Sequence, residues 1–144
     1  HFWDYRWPNI YDVKFTLLKG NEVVEEIGSY FGYRMFRAEG NTLILNNDPK
    51  YLKMVLHQGY YRESGLTAPN EEALLKDLQL AKDLGFNGIR MHQKVEDERF
   101  LYYADILGYL MWSEMPSMYE NTAKSRRTFE KEWKKRRCHK PDSY

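Results

Sequence analysis

Residues 84–116, LGFNGIRMHQKVEDERFLYYADILGYLMWSEMP, constrain the fold more than any other stretch of this chain. A short apolar run at 87–91 precedes a helical pattern at 97–107, in which Phe100, Leu101, Ala104 and Leu107 share one face. Gly108 stops that helix, and 109–112 is a second apolar run. Strand, helix and strand in this order make a βαβ unit, whose strands lie parallel in one sheet. In α/β proteins the carboxyl ends of parallel strands are where ligands bind. Those ends carry Arg90 with His92 on the first strand and Ser113 with Glu114 on the second.

The segment before it extends the pattern. Asn70 suits an N-cap, Glu71 and Glu72 fall in the first turn, and Ala73, Leu74, Leu78, Ala81 and Leu84 recur at helical spacing. Gly85 then fits the C′ position. A loop at 59–70, with Gly65 and Pro69, separates this helix from the residues before it.

The first third reads as β structure. Residues 11–18 alternate, with Tyr11, Val13, Phe15 and Leu17 on one face. Gly20 and Asn21 turn the chain into a second strand at 23–33, which 34–38 continues. Gly28 and Gly32 interrupt it and suggest a bulge or bend. Residues 42–46 and 51–56 pair as a hairpin around Asn47, Asp48 and Pro49. A charged helix at 125–137, with Phe129 and Trp133 at i, i+4 spacing, follows the βαβ unit. The whole is therefore α/β with an N-terminal β portion.

The 144 residues suffice for one domain with a core. One cysteine, Cys138, excludes an internal disulfide framework. No apolar run is long enough for a membrane span, and the first residues lack the pattern of a signal peptide. The net charge of +1 is unevenly spread: residues 124–140 hold nine Lys/Arg against Glu130 and Glu132, leaving the rest acidic by about six. A solvated helix face explains that run better than nucleic-acid binding, because no stacking aromatics interleave it.

Several pieces of the chain together resemble glycoside hydrolase family 2, which includes β-galactosidases, β-glucuronidases and β-mannosidases. PNIYDV and SYFGYRMF are similar to the end of the family's immunoglobulin-like sandwich domain. LILNNDPKYLKMVLHQGYY resembles the start of its barrel, and DLQLAKDLGFNGIRMHQKVEDERFLYYADILGYLMWSEMPS resembles barrel helix 1 through strand 3. The resemblance covers roughly residues 8–120. It implies a partial sandwich at 1–38, then roughly the first three βα units of a (β/α)8 TIM barrel at 39–144. A whole barrel needs about 200 residues or more, so the chain is expected to be a fragment. The family's acid/base glutamate ends strand 4 and its nucleophile glutamate ends strand 7; both are expected to lie outside these residues. The tail WKKRRCHKPDSY departs from the family's apolar strand and Asn-Glu pair.

Retaining glycosidases need two carboxylates about 5–5.5 Å apart. Among Glu96, Asp97, Glu98, Asp105, Glu114 and Glu120, only Glu114 falls at a strand end, so no catalytic pair is assigned within this chain. Arg90 and His92 are two apart on one strand and can share a face. The resemblance places Arg90 in the pocket, holding catalytic carboxylates; the competing reading is an ion pair with Glu114. For His92, a sugar contact competes with a satisfied, partly buried ring. Glu114 then positions the arginine. His57, Gln58 and Tyr60 are candidates for the pocket rim; Tyr61 can stack on a sugar, whereas Trp112 is expected in the core.

No metal or other cofactor is assigned. His57, His92 and His139 lack zinc-ligand spacing, and the Mg²⁺ or Na⁺ ligands of some family members are not identifiable. The expected partner is a carbohydrate substrate, with neither nucleic acid nor membrane. Open barrel edges predict self-association, possible as a homo-oligomer. The reading is a fragment of a retaining β-glycosidase, inactive by itself. Alternatives are a carbohydrate-binding module and an anionic-partner binder using the basic helix.

Overall fold

The computed structural model describes residues 1–137, with side chains through residue 135; Cys138, His139 and Lys140 lie outside the described residues. Eleven elements mix strands and helices among the described residues.

Strands β1 (Tyr11–Lys19) and β2 (Glu22–Phe31) form an antiparallel ribbon turned at Gly20, whose φ of 64° favours a residue without Cβ. The bulge lies at Val24, which has no partner because Leu17 pairs Glu25 while Leu18 pairs Val23. Gly28 stays in register opposite Lys14, which corrects the expected bulge there. Gly32 lies past the strand, where a Cβ would touch Trp3 at 3.4 Å.

The expected continuation of β2 through residue 38 does not occur. β3 (Phe36–Glu39) instead pairs with β4 (Thr42–Leu45), and β4 pairs with β5 (Asp48–Lys50), in a separate antiparallel sheet. Asn46 and Asn47 make its tight turn with φ of 53° and 66°, a conformation asparagine tolerates well. The hairpin therefore turns one residue earlier than expected, and Pro49 falls on an edge strand, where a missing N–H costs no ladder bond. The 38/39 boundary falls inside β3.

The third sheet is parallel. β6 (Met54–His57), β7 (Gly88–Met91) and β8 (Leu110–Ser113) align with His57 opposite Met91 and Met91 opposite Ser113. Residues 51–53 do not join β6, so the strand is shorter than the expected 51–56 and belongs to this sheet rather than to a hairpin. Gly88 permits this spacing, since a Cβ would come 2.7 Å from the Leu110 carbonyl oxygen.

Helix α1 (Glu71–Asp83) joins β6 to β7, and α2 (Glu98–Leu107) joins β7 to β8. Asn70 Oδ1 accepts the Ala73 N–H at 2.9 Å, and Asp97 caps α2 through the Arg99 N–H. At the α1 end, Phe86 N–H reaches the Ala81 carbonyl and Gly85 N–H the Lys82 carbonyl, a Schellman closure with Gly85 at φ 82°. Both helices cover one face of the sheet: Leu74, Leu78, Ala81, Phe100 and Ala104 pack on Ile89 and Met91. Burying each large apolar side chain contributes about 1.5–3 kcal/mol. Leu84, expected inward, is exposed because α1 has ended before it.

The N-terminal residues bind these parts together. Trp3 is buried with Leu45 and Leu110, and its Nε1–H donates to the Asp105 carbonyl at 2.7 Å. Tyr30 donates its hydroxyl to Asp105 Oδ2 at 3.0 Å, seating the ribbon on α2. Lys50 is buried between Asp4 and Asp48 at 2.9 and 2.7 Å. Burial pushes the Asp4 carboxyl up, but hydrogen bonds from Arg6 and Lys50 outweigh it and hold the group at about 2. The opposite ribbon face leaves Phe15, Leu17 and Ile27 exposed, so the expected alternation is present but covers no core. α3 (Ala123–Arg137) is mostly exposed, with Phe129 and Trp133 stacked at 6.2 Å.

Candidate functional site

The parallel sheet sorts side chains by parity. Ile89 and Met91 point at the helices, so Arg90 between them emerges on the opposite, open face. Leu56, Arg90 and Trp112 stand in register across the three strands, all exposed there. Trp112 is thus not core, contrary to expectation, because the helices cover the other face.

Arg90 and Glu114 meet. Arg90 Nε donates to Glu114 Oε1 at 2.5 Å, and the Gln93 N–H donates to Glu114 Oε2 at 3.0 Å. One carboxylate from the β8 end therefore fixes both a β7 side chain and the backbone beyond it. The Arg90 hydrogen bond, then that of Gln93, holds the Glu114 carboxyl below its usual range, against a smaller effect of burial. Gln93 has φ 51°, an unusual backbone for a residue with a side chain. Among the described residues, no hydrogen bond occupies either Nη of Arg90.

Above the strand ends lies an open cleft of about 920 Å³. Tyr60 lines it from the loop after β6, His92, Gln93 and Lys94 from the loop after β7, and Ser117 and Tyr119 from the loop after β8. Glu132 and Lys135 of α3 close one side. The cleft thus gathers three of the anticipated residues, Gln58, Tyr60 and His92, while Arg90 and Glu114 stand beside it, linked through Gln93.

His57 is turned the other way. Its Nδ1 accepts the Gly59 N–H at 3.0 Å, which leaves the proton of the neutral ring on Nε2, facing Asp77 Oδ2 at 2.9 Å. The ring also packs on Phe100 at 5.6 Å. Its odd parity with Ile89 and Met91 sends it toward the helices rather than to the rim. Tyr61 is half-buried, with its hydroxyl pushed up to about 12 by burial and then by Asp77 and Glu96. Glu96 is buried just before α2, and Asp105 serves the ribbon contact. Tyr119 and Lys94 escaped the sequence reading. Both follow strand ends by a few residues, and that position was the available signal.

Among the described residues, no group of three His, Cys, Asp or Glu side chains is placed to hold a metal ion. Nor is any described helix long and apolar enough to cross a membrane.

No family model matches the sequence. Similarity to individual proteins is nevertheless consistent. The chain is 28% identical over 120 residues to a β-glucuronidase of Streptococcus agalactiae serotype V, covering 82% of this chain and 20% of that protein. A GH2 β-galacturonidase from Eisenbergiella tayi, solved bound to galacturonate, matches with a TM-score of 0.74 at 30% identity, over 81% of this chain and 21% of that one. Bacteroides uniformis β-glucuronidase 2, solved covalently bound to cyclophellitol-6-carboxylate aziridine, gives 0.77 at 28% identity, over 85% and 15%. The chain spans about a fifth or less of the length of these relatives. All three are glycoside hydrolases. Together these likenesses support a fragment of the glycoside hydrolase family 2 kind.

Proposed function

We propose that this chain supplies one wall of the sugar pocket of a retaining β-glycosidase acting on terminal β-linked sugars. In this reading residues 1–38 derive from an immunoglobulin-like sandwich and 39–144 from the first three βα units of a (β/α)8 barrel, with the β3–β5 sheet as their seam. The names of the relatives make glucuronides and galacturonides the first glycosides to try.

One observation carries the reading: Arg90, on the open face of the sheet, is tied through Nε to Glu114, while neither Nη has a hydrogen bond among the described residues. A guanidinium held this way presents a fixed pair of donors to a carboxylate. Double displacement needs a nucleophile and an acid/base about 5–5.5 Å apart. Those two carboxylates are assigned outside this chain, and Arg90 orients them. Glu114 is a positioning residue, already committed to Arg90 and Gln93. His92 contacts a sugar hydroxyl, and Tyr60 offers an exposed ring to a sugar face. His57 has no part in the pocket.

Calorimetric titration with D-glucuronate, D-galacturonate and D-galactose tests this. Saturable millimolar binding that weakens in Tyr60→Ala supports the pocket. Absence of heat with all three sugars overturns it. A non-catalytic sugar-binding role is favoured by one observation, the pair of exposed tyrosines, Tyr60 and Tyr119, on opposite loops of the cleft. Tight binding equally dependent on both rings, with Arg90→Ala having no effect, selects that reading.

A further inference from the structure

The loop bearing Tyr60 is held by a charge pair that the pocket itself does not require. Glu96 sits just before α2 with its side chain only 4% exposed. Its Oε1 accepts the Asp97 N–H at 3.0 Å. Its Oε2 lies 2.8 Å from Lys94 Nζ but off the axis of an aligned hydrogen bond, so that contact is ionic. The same ammonium donates to the Leu66 carbonyl at 2.6 Å and the Gly59 carbonyl at 3.2 Å. An ammonium has three donors. Here one side of it meets the carboxylate, and two carbonyls bracket a single loop.

That loop has features fitted to the cation. Gly59 has φ 68°, and a Cβ there would collide with Lys94 Nζ and approach Glu96 Oε2 to 2.9 Å. Glycine is therefore needed both for its backbone and for the space the ammonium fills. Reciprocal Tyr61–Gly65 backbone bonds at 2.7 and 2.9 Å pinch the loop closed. The Tyr61 ring lies 6.0 Å from the ammonium. Tyr60 and Leu66, on either side of the pinch, line the cleft.

We infer that Lys94 and Glu96 are positioning residues, a buried latch that ties residues 59–66 to the start of α2 and so sets where Tyr60 stands at the cleft. A buried carboxylate left without its cation is strongly unfavourable, so the two act as a unit. The use of Tyr60 by a sugar rests on the function proposed above; the latch does not.

Amide hydrogen exchange followed by NMR on the whole chain tests it. In the unaltered protein the Tyr61 and Gly65 amides are expected to be protected and to exchange together. Lys94→Met, which keeps the stem and removes the charge, is expected to speed both by about tenfold or more, as is Glu96→Gln. Lys94→Arg restores protection, and amides of the β1–β2 ribbon keep their rates in all variants. Unprotected loop amides in the unaltered protein overturn the latch, and this result is readable even if a variant fails to fold. So does Lys94→Met with unchanged loop exchange. A lost latch with unchanged sugar affinity removes Tyr60 from the pocket and leaves the latch standing.

Discussion

Arg90 of β7 and Glu114 just beyond β8 are joined at 2.5 Å, although 24 residues separate them in sequence. The parallel register creates this pair: Arg90 lies opposite Trp112, so the β8 end brings Glu114 level with the residues after β7. The second oxygen of Glu114 then fixes Gln93 in its left-handed conformation. Two adjacent strand ends are thereby locked together at the edge of the cleft.

The Gln93 amide should report on this carboxylate. With its folded pKa held down, chiefly by Arg90, Glu114 stabilises the arrangement above its ordinary value of 4.5, and that contribution is lost as pH falls through the lower folded value. The Gln93 amide shift should therefore titrate with a midpoint below 4.5, and Glu114→Gln should abolish the transition. A midpoint at or above the ordinary value contradicts the pairing.

Asp105 should behave in the opposite sense. Burial raises its carboxyl, while Arg34 and Tyr30 partly oppose the rise. A raised folded pKa means that its contribution is complete below the unfolded value of 3.8 and is lost as pH rises through the folded one. Urea midpoints measured upward from that pH should fall more in the unaltered protein than in Asp105→Asn. Identical slopes would exclude a titrating Asp105 at the ribbon contact.

Core and surface positions of the helical layer should separate cleanly. Phe100 is fully buried, so Phe100→Ala should cost about 3–5 kcal/mol. Leu84→Ala, at a position 68% exposed, should change stability by no more than about 0.5 kcal/mol. Asn70→Ala should remove the α1 cap at a cost of about 1 kcal/mol. Chemical denaturation of the three variants decides each.

The ribbon predicts self-association. Phe15, Leu17 and Ile27 expose one apolar face, and among the described residues β6 and β8 are the unpaired edges of the parallel sheet. Sedimentation velocity should show mass increasing with concentration, reduced by Phe15→Lys. A monomer at all concentrations goes against it.

The legible parts of the fold were those written in local chemistry. Asn70, Gly85, Asp97 and Gly108 bound two helices whose apolar spacing already chose the buried face. What sequence could not settle was which face of a strand the helices would cover. Period-two alternation gives two faces without saying which one is buried, so Trp112 was expected inward and His57 at the rim, and both are the reverse. The β2–β3 break was hidden because Tyr33 and Met35, within residues 32–35, are compatible with a strand. Hydrogen bonds from Trp3 N–H to the Tyr33 carbonyl and between Met35 and Asn46 hold them outside the ribbon. In the cleft, Arg90 and Glu114 were visible as polar ends of apolar strands. Lys94 was not, because its role depends on carbonyls 28 and 35 residues away.

Two-dimensional NMR titration with D-glucuronate and D-galacturonate tests the central claim, that these strand ends form a sugar wall. The account predicts saturable, millimolar shift changes centred on Tyr60, His92 and Gln93, with His57 unmoved. Changes confined to the ribbon or α3, or no changes with either sugar, would contradict it.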